Sequence, residues 1–384
     1  MKQLLRDLAE IGAGQGAPQG DSNYCDDGTP FVKAGNLESL TTGAPLGSIQ
    51  KVSDSVAKEH RLKLYPKGTV LFAKSGMSCL KGYVYVLPKD AYVVSHLACV
   101  TPKEDLSEYL RYYFLYRKPN QLVKDASYPS ISLADIGDLE IDAKDKQTRK
   151  HIIATLSLVE RVIQLRQKQL SALDDLIKAR FVEMFGDETN PYQWPVVNVE
   201  DVANVSVGVV IKPAQFYTDA EHGVKAFRSL NIGAGTIKDS DWVYFSHEGN
   251  DKNSKSQLRE NDLLIVRSGA PGTACVVPKE FEGCNAIDII IARPKTDKVN
   301  PHYLCTYTNL PHGKRQIDEG TGGAAQQHFN VGKYNKLQLM LPTLKQQNEF
   351  VSFLKQIDKS KSVIQKSLDE TQLLFDRLMQ QYYG

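Results

Sequence analysis

The sequence predicts an α+β protein built as two homologous mixed α/β domains, separated by two long helices that form an antiparallel coiled coil with pseudo-twofold symmetry. Three observations lead there. A chain of 384 residues exceeds one ordinary domain and suggests two or three. Segments of the first half recur in the same order in the second, the signature of a duplicated unit. Each half closes with an apolar run at heptad spacing. The expected boundaries are a domain over 1–143, a helical region over 144–186, a second domain over 187–341 and a second helical region over 342–384.

The repeat is legible element by element. LRDLAEIGAG from Leu5 matches VEDVANVSVG from Val199, and FVKAGNLES from Phe31 matches FRSLNIGAG from Phe227, with Asn36 opposite Asn231. VLFAKSGMSCLKGYVYVLP (Val70 to Pro88) and LLIVRSGAPGTACVVP (Leu263 to Pro278) each read as strand, glycine turn, strand. In them Lys74, Ser75 and Gly76 stand where Arg267, Ser268 and Gly269 stand later. SISLADIGDLEI from Ser130 then aligns with HFNVGKYNKLQL from His328, and the helical segments end in EMFG and QYYG. One shared turn would mean little; five matches in one order mean duplication.

In the first helical segment the expected seam is Leu156, Val159, Ile163, Leu170, Leu173, Ile177 and Met184, interrupted at Arg166 and Arg180. The second offers Leu354, Ile357, Ile364, Leu368, Phe375, Leu378 and Tyr382, interrupted at Lys361 and Thr371. A seam this narrow suits a two-helix coiled coil; a helix lying on a globular core shows a broader apolar face. At 1.5 Å per residue each helix of about 35 residues would span on the order of 50 Å. Homologous halves that pair through the same helix face do so about a twofold, which makes the helices antiparallel. Two recognition units held at a fixed separation suit DNA, where half-site spacing mirrors protein geometry.

Composition is permissive. A net charge of +2 neither demands nor forbids nucleic acid, since phosphate contacts depend on where the cations lie. Six cysteines without CxxC pairs suggest a reduced, cytoplasmic protein, and MKQLLRDLAEIGAG is too charged for a signal peptide.

Catalytic motifs are not found. Asn190, Pro191 and Tyr192 approach the Asn-Pro-Pro-aromatic motif of amino-methyltransferases, but one proline is missing and a linker turn is expected. Gly12, Gly14 and Gly16 lack GxGxxG spacing and are expected in a flexible loop. The histidines at 60, 96, 151, 222, 247, 302, 312 and 328 show no metal spacing. Polar and basic residues do gather at the expected turns: Lys74, Ser75, Lys81 and Tyr83 in the first copy, and Arg228, Arg267, Ser268 and Thr273 in the second. Gln326, Gln327 and His328 join them beside a glycine turn. Such side chains supply direct base readout, so they are the candidate DNA contacts, and no catalytic or metal residue is assigned.

The doubled plan, the VRSGAPG turn, GGAAQQHFNVGKYNKLQLMLPTLKQQNEF and LSALDDLIKARFVEMFGD together resemble the specificity subunit of type I restriction-modification enzymes, over essentially the whole chain. The resemblance implies two target-recognition domains reading the halves of a bipartite double-stranded DNA target, with the helices setting the gap. It implies a non-catalytic subunit that binds two methyltransferase subunits and, through them, restriction subunits. No cofactor would be bound by this chain; S-adenosylmethionine, ATP and magnesium would act in the partners. KSGMSCLKG against RSGAPG marks a difference between the copies, as two different half-sites would require. The recognition half of a fused restriction-methylation enzyme and a protein-binding scaffold stand as alternatives.

Overall fold

The computed structural model describes residues 2–187, 189–321 and 329–384. By contacts the chain divides into two compact units, Met1–Gln167 with Lys366–Gly384, and Lys168–Gln365. Each unit therefore holds one globular domain, the start of one long helix and the end of the other.

In the first unit, strands β1 (Ala9–Ala13), β2 (Val70–Ala73), β3 (Val84–Val86) and β4 (Leu97–Pro102) form an antiparallel sheet in the order β1-β4-β2-β3. Helix α1 (Ser107–Arg117) packs on it, with Phe114 4.8 Å from Phe72. A second sheet pairs Thr29–Val32 in parallel with Ala91–Val93. The 40-residue helix α2 (Lys146–Phe185) follows.

The second unit repeats this plan with β5 (Ala203–Val207), β6 (Leu263–Val266), β7 (Ala274–Val276) and β8 (Ile289–Pro294), in the order β5-β8-β6-β7. Helix α3 (Pro301–Asn309) stands where α1 stood, and α4 (Leu344–Tyr383) closes the chain. LLIV is apolar throughout because β6 is covered on both faces. Leu263 and Ile265 join the core that holds Tyr303 of α3, whereas Leu264 and Val266 join the core around Phe227. Alternate side chains of a strand point to opposite faces, so each face finds its own core.

The structure moves one sequence match by a residue. Lys33 N–H donates to Asn36 Oδ1 at 2.8 Å, and Arg228 N–H to Asn231 Oδ1 at 2.9 Å, which keeps the two asparagines equivalent. The parallel pairs then set Val32 against Val93 and Phe227 against Ala286. The counterpart of Phe227 is Val32, not Phe31; shared residue type was a weaker guide than register. A second correction concerns Gly12 and Gly14, expected in a flexible loop. Gly12 lies within β1 and Gly14 N–H donates to Leu97 O at 3.3 Å.

Both long helices have 40 residues, about 60 Å each. Leu156 of α2 shares its core with Phe375, Leu378 and Met379 of α4 in the first unit. In the second, Phe181 and Phe185 of α2 share theirs with Phe350, Val351 and Leu354 of α4. The start of each helix thus packs against the end of the other, so they run antiparallel. Every residue of the expected seam is buried or half-buried. Of the interruptions, Lys361 pairs with Asp174, and Arg180 lies over the ring of Phe353 and pairs with Glu183 at 2.7 Å.

Ion pairs tie α2 to the first domain, Arg149 with Glu104 at 3.6 Å and Glu160 with Arg111. Glu160 accepts from Arg111 at 3.0 and 2.7 Å and from the Tyr112 hydroxyl at 2.9 Å. Burial works to raise the Glu160 pKa, but the hydrogen bonds and charge of Arg111 and the Tyr112 hydroxyl outweigh it and hold the carboxyl below its ordinary value. A carboxylate depressed in the folded state contributes stability above its unfolded pKa of about 4.3, and loses it as pH falls through the folded value. Urea titrations should show Glu160→Gln less stable than the parent at pH 6, with a shallower further decline below about pH 4.5. Parallel curves at all pH values would disprove the assignment. In the second unit Cys305 stands where Arg111 stood, and burial instead raises the pKa of the corresponding Asp358.

Candidate nucleic-acid interface

In each unit the strand-turn-strand element opens at one end of the antiparallel sheet, where β1 and β2, or β5 and β6, end and β4, or β8, begins. Gly76 has φ +76° and Gly269 φ +87°, left-handed backbone that glycine adopts without Cβ strain. The same segment braces both turns: Ile131 N–H donates to Lys74 O at 2.8 Å, and Phe329 N–H to Arg267 O at 3.0 Å. The matched turns are thus one structural element held in one way.

Their chemistry differs. In the second unit the Arg267 guanidinium, with its side chain 12% exposed, pairs with Asp288 and donates through Nε to Phe329 O at 3.2 Å. In the first, Lys74 stands at this place and Ser95 takes the backbone position of Asp288, its N–H donating to Gln15 O at 2.8 Å as Asp288 N–H donates to Val209 O at 3.1 Å, with His96 one residue on. Lys74 N–H donates to His96 O at 2.9 Å, and Ser75 Oγ shares a 2.8 Å hydrogen bond with His96 Nδ1. Among the described residues Lys74 makes no ion pair. The first unit therefore presents positive charge where the second has neutralised it internally. Arg267→Ala is expected to lower the unfolding free energy of the second unit by about 1–3 kcal/mol, because it strips the charged hydrogen bonds of a largely buried guanidinium. Lys74→Ala should stay within about 0.5 kcal/mol of the parent. Denaturant unfolding of both variants decides; equal effects would refute the contrast.

Of the other sequence candidates, Ser268 lies in the turn with Arg267, and Thr273 immediately precedes the return strand β7, its Oγ1 accepting from Lys314 at 3.4 Å. Lys81 sits beyond the first turn, paired with Glu38 at 2.9 Å and 5.8 Å from the Tyr83 ring centroid. Burial, then the Glu38 carboxylate, raises the Tyr83 pKa. Arg228 stands apart from the turn, in the cap before Asn231, its guanidinium donating to Asp241 O. Gln326, Gln327 and His328 lie outside the described residues. His96 and Asp288 were not singled out from sequence; the turn alignment alone does not reveal which residue just before β4 or β8 faces it.

Asn190 exchanges side-chain bonds with the Trp194 backbone, accepting from its N–H and donating to its carbonyl, both at 2.9 Å; it holds its own turn. Among the described residues no group of three or more His, Cys, Asp or Glu side chains could hold a metal, and no helix is long and apolar enough to cross a membrane.

The family model of the type I restriction modification DNA specificity domain matches residues 2–174 and again 191–371. The chain belongs to this family. It carries two specificity domains in tandem, one in each unit. Among named relatives, the type I restriction enzyme MjaIX specificity subunit of Methanocaldococcus jannaschii is 21% identical over 374 residues, 88% of this chain and 82% of that protein. The S subunit of the M. genitalium type I restriction-modification system shares the fold with a TM-score of 0.57 at 12% identity, over 100% of this chain and 96% of that one. A chain from a structure of type I complex assembly gives a TM-score of 0.56 at 16% identity, over 100% and 97%. These likenesses extend over both specificity domains and both long helices, so the duplicated plan is that of the family.

Proposed function

We propose that this chain is the DNA-recognition subunit of a type I restriction-modification complex, in which each domain reads one half of a bipartite target and the paired helices set the gap. It docks two methyltransferase subunits and, through them, restriction subunits; it performs no chemistry itself and works in the cytoplasm. S-adenosylmethionine, ATP and magnesium act in those partners. One observation carries this reading: the same braced turn stands at the same sheet end of two homologous domains, with different side chains on it. Common scaffolding with divergent contact residues suits two readers of different half-sites.

The test mixes the purified chain with its methyltransferase subunit and maps methylation on genomic DNA. A single split target methylated only by the mixture is expected. Methylation or cleavage by the chain alone would favour a fused enzyme; salt-insensitive binding to protein without DNA would favour a scaffold, because phosphate contacts make DNA affinity fall steeply with salt. The helices supply a mechanical prediction. Deleting seven residues from each removes about 10 Å of helix, which is about 3 base pairs at 3.4 Å per step. The methylated target should keep both half-sites and lose about that much spacer; an unchanged gap would exclude the helices as the ruler.

A further inference from the structure

Tyr128 at 82% exposure, Ile211 at 79% and Met77 at 71% are the three most exposed large hydrophobic residues among the described residues. A lone exposed apolar side chain needs no explanation. These three do, because all lie on loops at the sheet end that carries the strand-turn-strand element.

In the first unit Met77 follows the turn glycine, and Gly76 N–H donates to Pro129 O at 3.0 Å. Ser75 bridges Ser130, so Tyr128 is carried on a loop fastened to the turn. In the second unit the loop after β5 begins at Val209, whose N–H donates to Ala286 O at 2.7 Å and whose carbonyl accepts from Asp288 N–H at 3.1 Å. Asp288 is the partner of Arg267, so Val210 at 49% exposure, Ile211 and the exposed Lys212 stand beside that turn. In both units the supports are backbone hydrogen bonds, which fix the loop base while the apolar tip points to solvent.

The charge around the tips suits a polyanion. Lys74 flanks the turn in the first unit, and Lys212 adjoins Ile211 in the second. Lys124 on the Tyr128 loop pairs with Asp135 at 3.1 Å, and Asp125 accepts from Ser127 N–H at 2.8 Å.

We propose that Tyr128 with Met77 in the first domain, and Ile211 in the second, are apolar wedges that enter base steps of the bound duplex. Each would unstack a deformable step and so select its half-site by stacking and deformability as well as by hydrogen bonding. The wedges come from different loops of the same fold, as two readers of different sequences require. This proposal rests on the DNA-recognition reading above.

The test uses the full chain assembled with its methyltransferase subunit, and a duplex selected by that complex from a random pool. The probe is 2-aminopurine placed in turn at the steps of each half-site. Tyr128→Ala and Ile211→Ala should leave the thermal midpoint unchanged, since neither side chain is packed. Each should weaken binding about tenfold, the scale of a lost base-pair contact. Each should abolish the binding-induced 2-aminopurine signal and relax selection in one half-site only. The slope of log affinity against log salt should not move, because no phosphate contact is lost; Lys74→Ala should lower it by about one. If the parent complex selects a duplex and both variants bind it within twofold, with the same half-site preferences, the wedges are refuted while DNA recognition stands. Loss of methyltransferase binding in place of DNA binding would also refute them. A parent complex that selects no duplex would overturn the DNA reading and the wedges together.

Discussion

Gly208→Ala is expected to destabilise the second unit's domain strongly, and Gly14→Ala the first. A Cβ at Gly208 would lie 2.2 Å from Ala286 O and 2.6 Å from Ala286 C; at Gly14 it would lie 2.0 Å from Val93 O and 2.4 Å from Val94 O. These are backbone atoms, so no rotamer change relieves the clash. At both places the chain leaves one sheet and hydrogen-bonds the other. Gly208 N–H donates to Ile289 O at 2.9 Å and Val209 N–H to Ala286 O at 2.7 Å, while Gln15 N–H donates to Val93 O at 2.9 Å. Moving the strand far enough to admit a methyl group breaks these bonds as well as the packing. Overpacking alone costs about 1–3 kcal/mol, and each lost hydrogen bond adds about 1 kcal/mol, so a loss of about 3 kcal/mol or more is expected. Hydrogen exchange of Gly208→Ala should show protection reduced over 199–321 and 329–340 and kept over 2–142, with the reverse for Gly14→Ala. A parent-like urea midpoint in either variant would show that the sheets can separate there without cost.

Tyr383→Ala should detach the last turns of α4 from the first unit. Tyr383 is 8% exposed, its hydroxyl donates to Tyr109 O at 3.0 Å, and its ring centroid lies 5.1 Å from that of Tyr109 and 6.2 Å from that of Tyr113. Removing a buried aromatic ring costs about 3–5 kcal/mol. Tyr383→Phe keeps the ring and should cost only about 1 kcal/mol for the hydrogen bond. The second unit contains the control: Phe185 at the end of α2 packs 5.1 Å from Tyr303, the counterpart of Tyr109, with no hydroxyl at all. Loss of exchange protection over 366–384 in Tyr383→Ala, and its retention in Tyr383→Phe, is the expected pattern. Equal protection in both would mean that the seam alone anchors the helix.

Much of the architecture was legible because it is periodic or repeated. Leu156, Ile163, Leu170, Leu354, Ile357 and Leu368 recur at heptad spacing, and a narrow stripe has few ways to be buried besides another helix. The EMFG and QYYG endings announced equivalent helix ends, and the structure places Phe185 and Tyr383 against equivalent tyrosines. The candidate interface was legible only as a turn. Lys74 and Arg267 align, but nothing in their neighbourhood shows that Arg267 meets Asp288 whereas Lys74 stands beside His96, because those residues lie in separate segments that lead into β8 and β4. Exposure at Tyr128, Met77 and Ile211 is likewise a property of three-dimensional loops.

The sequence by itself thus determined the duplication, the order of domains and helices, and the face by which the helices pair, since each is a pattern along one dimension. Tertiary structure decided what each position does: that Val32 rather than Phe31 matches Phe227, that Gly14 is a steric requirement rather than a flexible link, and that one turn is cationic while its twin is neutralised. The physical reason is the same in every case. Register, close backbone approach and ion pairing depend on distances between residues far apart in the chain, and only the folded packing sets those distances.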